Sequence, residues 1–527
     1  MNNIADPNNQ SQIPPQQPMP QGGAFMPPMP PHMAGRGRGR RIAEQVLFPK
    51  WLSRNALITY LLALAVVTFM YSAYSIPWYY MLSGVVSMLV FFLYGAKVVQ
   101  DTAVEKIRKE KNFEKRIFLI AFIPRVLWMV FIYFIFMRSY GDAFGFENSD
   151  ATYYRDLGEF VADLIGQGNF HFYDEISKFG MNDDIADMGY GVYLGFVYYL
   201  TGKNIIAARI IKCILSSYTV LLVYRLSKRN FGEQTGRMAA IFIALWPNFW
   251  YYCGTHLKET EMVFLVVLFV EQADQMLRSR QFTLWKVGPV LLMAAALFTF
   301  RTVLGLVAIM ALLVALVMSS ARVVSWGKRI IVGGLAVLLI VATAGNRIQE
   351  QTAEMFEQVQ SGSQQANMEW RSKRADAGEN VQKFSKYAGA AVFAPMIFSI
   401  PFPTMVRPFD GQEVQQMLNG GNFVKNILSG FTIFALVMLS LSGKWREHIL
   451  PLALMLGYAV VLAFSSFAHS ERFHQPGMPF QMMFAAYGLS IAVTRPKYKR
   501  WFMYWCGVMF VAAIAWNWFK LAGRGLA

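Results

Sequence analysis

The chain has 527 residues, 55% of them hydrophobic and 15% charged, with a formal net charge of +17. A soluble protein of this length needs far more charge to cover its surface, and the apolar residues fall in blocks of roughly 17–22, enough to cross a hydrocarbon core about 30 Å thick. Lys and Arg sit in short runs between those blocks, where they orient spans, so the positive balance does not point to nucleic acid.

Residues 1–42 are rich in Pro, Gln, Met, Asn and Gly without apolar periodicity. Such a segment buries too little surface to offset its ordering entropy, and a disordered cytoplasmic tail is expected. It ends in Arg36, Arg38, Arg40 and Arg41, close to Lys50 and Arg54, a polybasic stretch suited to the lipid surface. No signal peptide is expected, because the first apolar block starts only after about fifty residues. Blocks 57–75, 77–98 and 117–137 make residues 43–137 a set of N-terminal spans, with Lys106 to Arg116 returning the chain to the cytoplasm.

Residues 138–203 read as an external acidic loop with juxtamembrane helices. Within 138–187, Asp142, Glu147, Asp150, Asp156, Glu159, Asp163, Asp174, Glu175, Asp183, Asp184 and Asp187 face only Arg138, Arg155 and Lys178. That scarcity of Lys and Arg places the loop outside. The run from Ser149 puts Ala151, Tyr154, Leu157, Val161 and Leu164 on one helical face, which predicts an amphipathic helix along the outer surface. Ser149 suits its N-cap, and Asp150 in the first turn complements the helix dipole. Residues 189–200 are apolar but too short to span, so a re-entrant or interfacial position is expected.

Residues 204–345 read as a transmembrane core, with blocks at 204–226, 238–253, 261–277, 284–300, 303–319 and 330–345. Residues 346–423 read as a second external loop in which 389–404, carrying Pro395, Pro401 and Pro403, dips into the membrane. Blocks 425–442, 449–467, 478–494 and 501–518 make 424–527 the C-terminal spans. The expected class is an all-α polytopic membrane protein with about 13 spans and its N-terminus in the cytoplasm. Cys213, Cys253 and Cys506 have spacings of neither a disulfide framework nor a zinc site, and read as small buried hydrophobes.

This topology gathers the unusual polar groups at one membrane face, where ionisable residues flanking spans make a site hypothesis. Asp150 can serve there as a carboxylate that takes a proton from an acceptor hydroxyl, with Glu147 and Asp142 as second choices; its rival role is capping. Lys258, Arg301 and Arg472 each place a cation beside a span. One alone could merely snorkel to the interface, but three in separate turns suggest an anion site, for which guanidinium geometry is suited. His256 and His474 read as interfacial hydrogen-bonding residues, since no paired spacing supports zinc. The Asp-rich loop leaves room for a divalent cation without any spacing that specifies one. No glycine-rich nucleotide motif is present.

The order of these features resembles the integral-membrane glycosyltransferases of the GT-C class, particularly the protein O-mannosyltransferase and aminoarabinose-transferase type. An early acidic residue precedes a Tyr-containing helix, here Asp150-Ala-Thr-Tyr153-Tyr154, and a short apolar stretch ending in Gly follows, here YLGFVYYLTG from Tyr193 to Gly202. Next come a span with an early Arg from Ala207 to Gly232, a span with a late Pro around Pro247, and ERFHQPGMPFQMMFAAYG near the C-terminus. The chain departs from the pattern in having Ser149-Asp150 in place of an Asp-Glu doublet, and Met188-Gly189 in place of Pro-Pro.

The resemblance implies a GT-C-like fold and transfer of a sugar from a polyprenyl-phosphate carrier to a glycan, lipid or protein acceptor at the external, periplasmic face of a bacterial inner membrane. It implies a base, Asp150, and donor-phosphate cations, Lys258, Arg301 and Arg472. Tyr153, Tyr154, His256, Glu259 and His474 complete the expected substrate site. The carrier sugar is the co-substrate, and no other cofactor is specified. The nearest rival is an O-antigen-type polymerase or ligase, for which Arg371, Lys373 and Arg374 supply bases in a late loop. The rival from another class is a transporter or a flippase of lipid-linked glycans, with Arg125 and Lys212 as the mid-span ionisable groups it needs.

Overall fold

The computed structural model describes residues 48–103, 110–178, 188–279, 283–318, 333–336, 338, 396–407, 413–464, 470–494, 497–522 and 526. The expected tail, Asp183 and Asp184, nearly all of the 330–345 block, and the loop through Arg371, Lys373 and Arg374 lie outside these residues. In chain order the helices are α1 (Lys50–Met70), α2 (Trp78–Asp101), α3 (Glu110–Tyr140), α4 (Asn148–Gly166), α5 (Phe172–Lys178), α6 (Met188–Thr201), α7 (Ile205–Phe231), α8 (Glu233–Leu245) and α9 (Pro247–Gly254). They continue as α10 (Glu259–Arg278), α11 (Leu284–Phe300), α12 (Thr302–Met318), α13 (Glu413–Met417), α14 (Asn419–Leu441), α15 (Ile449–Phe464), α16 (Glu471–His474), α17 (Met478–Ala492) and α18 (Lys497–Ala522). Among the described residues no strand forms, and the one bridge pairs Ser75 with Val406.

The protein is an all-α polytopic membrane protein. Seven of the described helices are long and apolar enough to cross a membrane: α1, α2, α3, α7, α14, Lys444–Ala463 and α18. The other blocks expected to span take different forms. The 261–277 block lies in α10, whose 20 residues carry Glu259, Glu261, Glu271 and Asp274. The 284–300 and 303–319 blocks become α11 and α12, of 17 residues each, and 478–494 becomes α17, of 15.

The 238–253 block is not one helix but two, α8 and α9, broken at Trp246–Pro247. Pro247 has no N–H to return to the carbonyl of Ile243, and in a membrane an unsatisfied carbonyl costs several kcal/mol. Arg125 of α3 repairs the break. Its side chain is fully buried and donates from Nη2 to Ile243 O at 3.1 Å, from Nη1 to Ala244 O at 3.0 Å, and from Nε to Ser216 Oγ at 2.9 Å. Trp250 Nε1 adds a second bond to Ala244 O at 2.7 Å. The mid-span arginine is thus accounted for as a helix cap.

Residues 396–407 run without regular structure, yet Ser399, Ile400, Phe402, Thr404, Met405 and Val406 are buried. Irregular backbone survives there because side chains of neighbouring helices take up its polar groups. Asn426 of α14 donates to Ser399 O and Pro401 O, Lys425 donates to Ile400 O, and Gln481 of α17 donates to Phe398 O. From α18, Asn517 accepts from Met405 N at 2.7 Å and donates to Pro403 O at 3.0 Å. Helix α14 also meets α2 backbone to backbone: a Cβ on Gly420 would lie 2.4 Å from Gly84 O.

Candidate functional site

The acidic loop closes on itself before α4 begins. Asp142 Oδ1 accepts from the amides of Phe144 at 2.7 Å and Gly145 at 3.0 Å, which gives this carboxylate a turn-forming role. Glu147 ends the 3-10 turn Gly145–Glu147, and α4 starts at Asn148, so Ser149 lies inside the first turn rather than capping it. The apolar face of α4 packs on α6. Glycines make that approach close: a Cβ on Gly191 would sit 2.3 Å from Leu157, and one on Gly195 2.3 Å from Val161. The short apolar stretch of α6 is therefore the seat on which α4 holds Asp150.

Asp150 is about half exposed, and it is bonded across 322 positions of sequence: Arg472 Nη1 donates to its Oδ2 at 2.5 Å. The Nε of the same guanidinium donates to Glu259 Oε1, on a side chain only 1% exposed. Arg472 is therefore engaged by two carboxylates rather than presented to a phosphate, because the buried Glu259 charge needs a partner. Gln475 and Glu259 also line one small internal cavity, in which Glu259 Oε2 and Gln475 Oε1 are buried without a partner.

Lys258 and Arg301 form the cationic part. Lys258 is buried, donates to Phe300 O at 3.0 Å, and lies 5.8 Å from the centroid of the Tyr154 ring. Burial, and then the neighbouring Arg301, push its ammonium down to about 7. Arg301 is the single extended residue between α11 and α12, with its guanidinium carbon 4.4 Å from the Phe473 ring centroid. Its Nη1 is buried without an acceptor. With Lys258 protonated, three cations (Lys258, Arg301, Arg472) stand against two carboxylates (Asp150, Glu259), a surplus of one positive charge.

The remaining expected residues divide. Tyr154 joins the cluster, its ring edge-on to Tyr190 at 4.9 Å. Tyr153 packs beside it with its hydroxyl buried and unpartnered. His256 turns to Tyr198, whose hydroxyl lies 2.8 Å from Nε2, and burial followed by Lys212 holds its imidazole well below the usual range. It is a neutral hydrogen-bonding residue at pH 7. His474 faces away, with Nδ1 at 2.8 Å from Lys425 Nζ.

Sequence reasoning set Lys212 aside as a transport residue. It instead holds the turn that presents Lys258, donating to Thr255 O at 3.0 Å, to Leu257 O and to Tyr190 OH, with Glu261 at 3.5 Å. A charge set inside an apolar stretch is the available signal. Tyr190, Tyr198 and Glu261, and Tyr458 whose hydroxyl donates to Phe473 O at 2.8 Å, carry no sequence signal beyond an apolar or helical context. Among the described residues no group of three or more His, Cys, Asp and Glu gathers to hold a metal; Cys213 and Cys253 are buried together against Met129.

The cations and the buried, acceptor-free Arg301 Nη1 suit an anionic ligand. Residues 190–345 match the family model of the dolichyl-phosphate-mannose-protein mannosyltransferases. This is a family of GT-C-type membrane glycosyltransferases, so the resemblance read from the residues holds, and the match indicates a membrane glycosyltransferase of the mannosyltransferase type. It spans α6 to α12 with His256, Lys258, Glu259 and Arg301, while Asp150 and Arg472 fall outside it. No curated protein matches the chain.

Proposed function

We propose that the protein moves a sugar from a polyprenyl-phosphate carrier to an acceptor hydroxyl at the external face of a bacterial inner membrane. The observation that carries this reading is Arg301 Nη1, buried without an acceptor and repelled by the Lys258 charge: an anion there would accept from Arg301 and offset the repulsion. A polyprenyl phosphodiester carries one negative charge, which matches the surplus of one.

In this mechanism Lys258 and Arg301 hold the donor phosphate and take up the charge that grows on it as the bond from the sugar's anomeric carbon to the phosphate oxygen breaks. The acceptor oxygen bonds to that carbon, its proton passes to Asp150, and polyprenyl phosphate leaves. Arg472 is a positioning residue: anchored by Glu259, it fixes where the Asp150 carboxylate stands. The acceptor is a glycan, a lipid or a protein. Transfer by the purified protein in nanodiscs, from a panel of polyprenyl-phosphate sugars to those three acceptor types, tests the reading. Transfer from at least one donor is expected. Absence of both transfer and donor hydrolysis, with folded protein, would move the function to a polymerase, ligase or flippase.

A further inference from the structure

Helices α1 and α18 run side by side in the same direction, with the Trp51 and Phe502 rings 5.1 Å apart near their starts. Beyond that contact an open groove of about 260 Å³ follows the seam, lined by Asn55, Ile58, Thr59 and Leu62 on one side and Met503, Cys506, Gly507 and Phe510 on the other. Each set recurs every three or four residues, so the groove follows one seam for about 10 Å at the helical rise. Ile58, Leu62 and Met503 are 49%, 53% and 55% exposed, an apolar lining open to the bilayer. A Cβ on Gly507 would meet nothing within 4 Å, so the missing side chain is part of the space.

Two features show what chemistry belongs at its mouth. Asn55 Nδ2 is buried with no hydrogen-bond partner. Towards the starts of the two helices, Lys50 and Arg54 of α1 and Lys497, Lys499 and Arg500 of α18 are all exposed, and neither helix has an acidic residue in its first turn. Cations there stand against the helix dipoles, whose N-terminal ends favour negative charge, so both helices present positive potential with nothing of their own to offset it.

We propose that this groove binds an anionic phospholipid, one acyl chain lying along the seam, the phosphate among the basic residues and an ester carbonyl accepting from Asn55. The site is separate from the Lys258–Arg301 cluster and does not depend on the reading given to that cluster.

Native mass spectrometry of the full chain tests it, with phosphatidylglycerol and phosphatidylcholine of identical chains added in equal amounts. Wild type should retain phosphatidylglycerol at least about fivefold over phosphatidylcholine, since each Lys or Arg beside an anionic headgroup contributes on that scale. Gly507→Leu, which fills open space, should reduce retention of both lipids. Arg54→Gln with Lys499→Gln and Arg500→Gln, all at the surface, should keep phosphatidylcholine retention and lower the ratio severalfold, Lys50 and Lys497 being left in place. Equal retention of the two lipids by wild type, or an unchanged ratio in the charge variant, overturns the proposal. So does displacement of phosphatidylglycerol by substoichiometric polyprenyl phosphate, which would assign the groove to the donor's tail.

Discussion

Raising the pH from 6 to 9 should weaken donor binding through Lys258. With burial and Arg301 holding its ammonium down to about 7, the ligand-free site is largely charged at pH 6 and largely neutral at pH 8. The sign follows from linkage. The free-state value lies below that of an ordinary lysine, a bound phosphate favours the charged form, and so binding takes up a proton and tightens as pH falls. Relative to the acid limit, the apparent Kd should rise about twofold at pH 7, about 11-fold at pH 8 and about 100-fold at pH 9, unless the value in the complex is reached first. A polyprenyl-phosphate-mannose donor keeps its single charge throughout this window, so the titration belongs to the protein. Calorimetry in two buffers of different ionisation enthalpy reads both the Kd and the proton taken up. Lys258→Arg cannot lose its charge and should flatten the profile. A wild-type Kd independent of pH between about 6.5 and 8.5, or the same slope in Lys258→Arg, would mean that the Lys258 charge does not govern donor binding.

Removing Arg472 as Arg472→Met strands the buried Glu259 charge and should destabilise the fold by about 3–5 kcal/mol, with much of that recovered in Arg472→Met/Glu259→Gln; thermal unfolding in detergent reads both. Arg125→Met should lower thermal stability by several kcal/mol, because Ile243 O loses its side-chain partner while Ala244 O keeps Trp250, and donor affinity of the folded fraction should stay unchanged. Gly191→Leu should cost at least about 1–3 kcal/mol by overlapping Leu157, and should be seen as faster proteolysis within α4.

Much of the class was legible because membrane physics writes it in long blocks: length, charge scarcity and basic turns suffice to read an all-α polytopic protein. Asp150, Lys258, Arg301 and Arg472 could be singled out because a charge beside an apolar span is costly and so conspicuous. Their arrangement was not readable. Arg472 meets Asp150 and Glu259 across 322 and 213 positions, and no local pattern encodes which carboxylate a distant guanidinium reaches. Hydropathy averaging read 238–253 as one span because it registers apolar side chains and not the N–H that Pro247 lacks. The same averaging made Arg125 and Lys212 look like transport groups, when each satisfies carbonyls that only the folded chain exposes. Ser149 suits an N-cap by residue type, but the helix has already begun at Asn148.

In the proposed reaction Arg301 serves the donor phosphate and Asp150 takes the acceptor proton. Donor Kd and single-turnover transfer rate, measured side by side on wild type, Arg301→Ala and Asp150→Asn in nanodiscs, test it most directly. Arg301→Ala should raise the donor Kd by about 10- to 100-fold, as loss of a charged hydrogen bond does. Asp150→Asn should leave the Kd within about twofold and slow transfer by about 10²–10⁴-fold. Transfer at the wild-type rate in Asp150→Asn, or an unchanged Kd in Arg301→Ala, would contradict it.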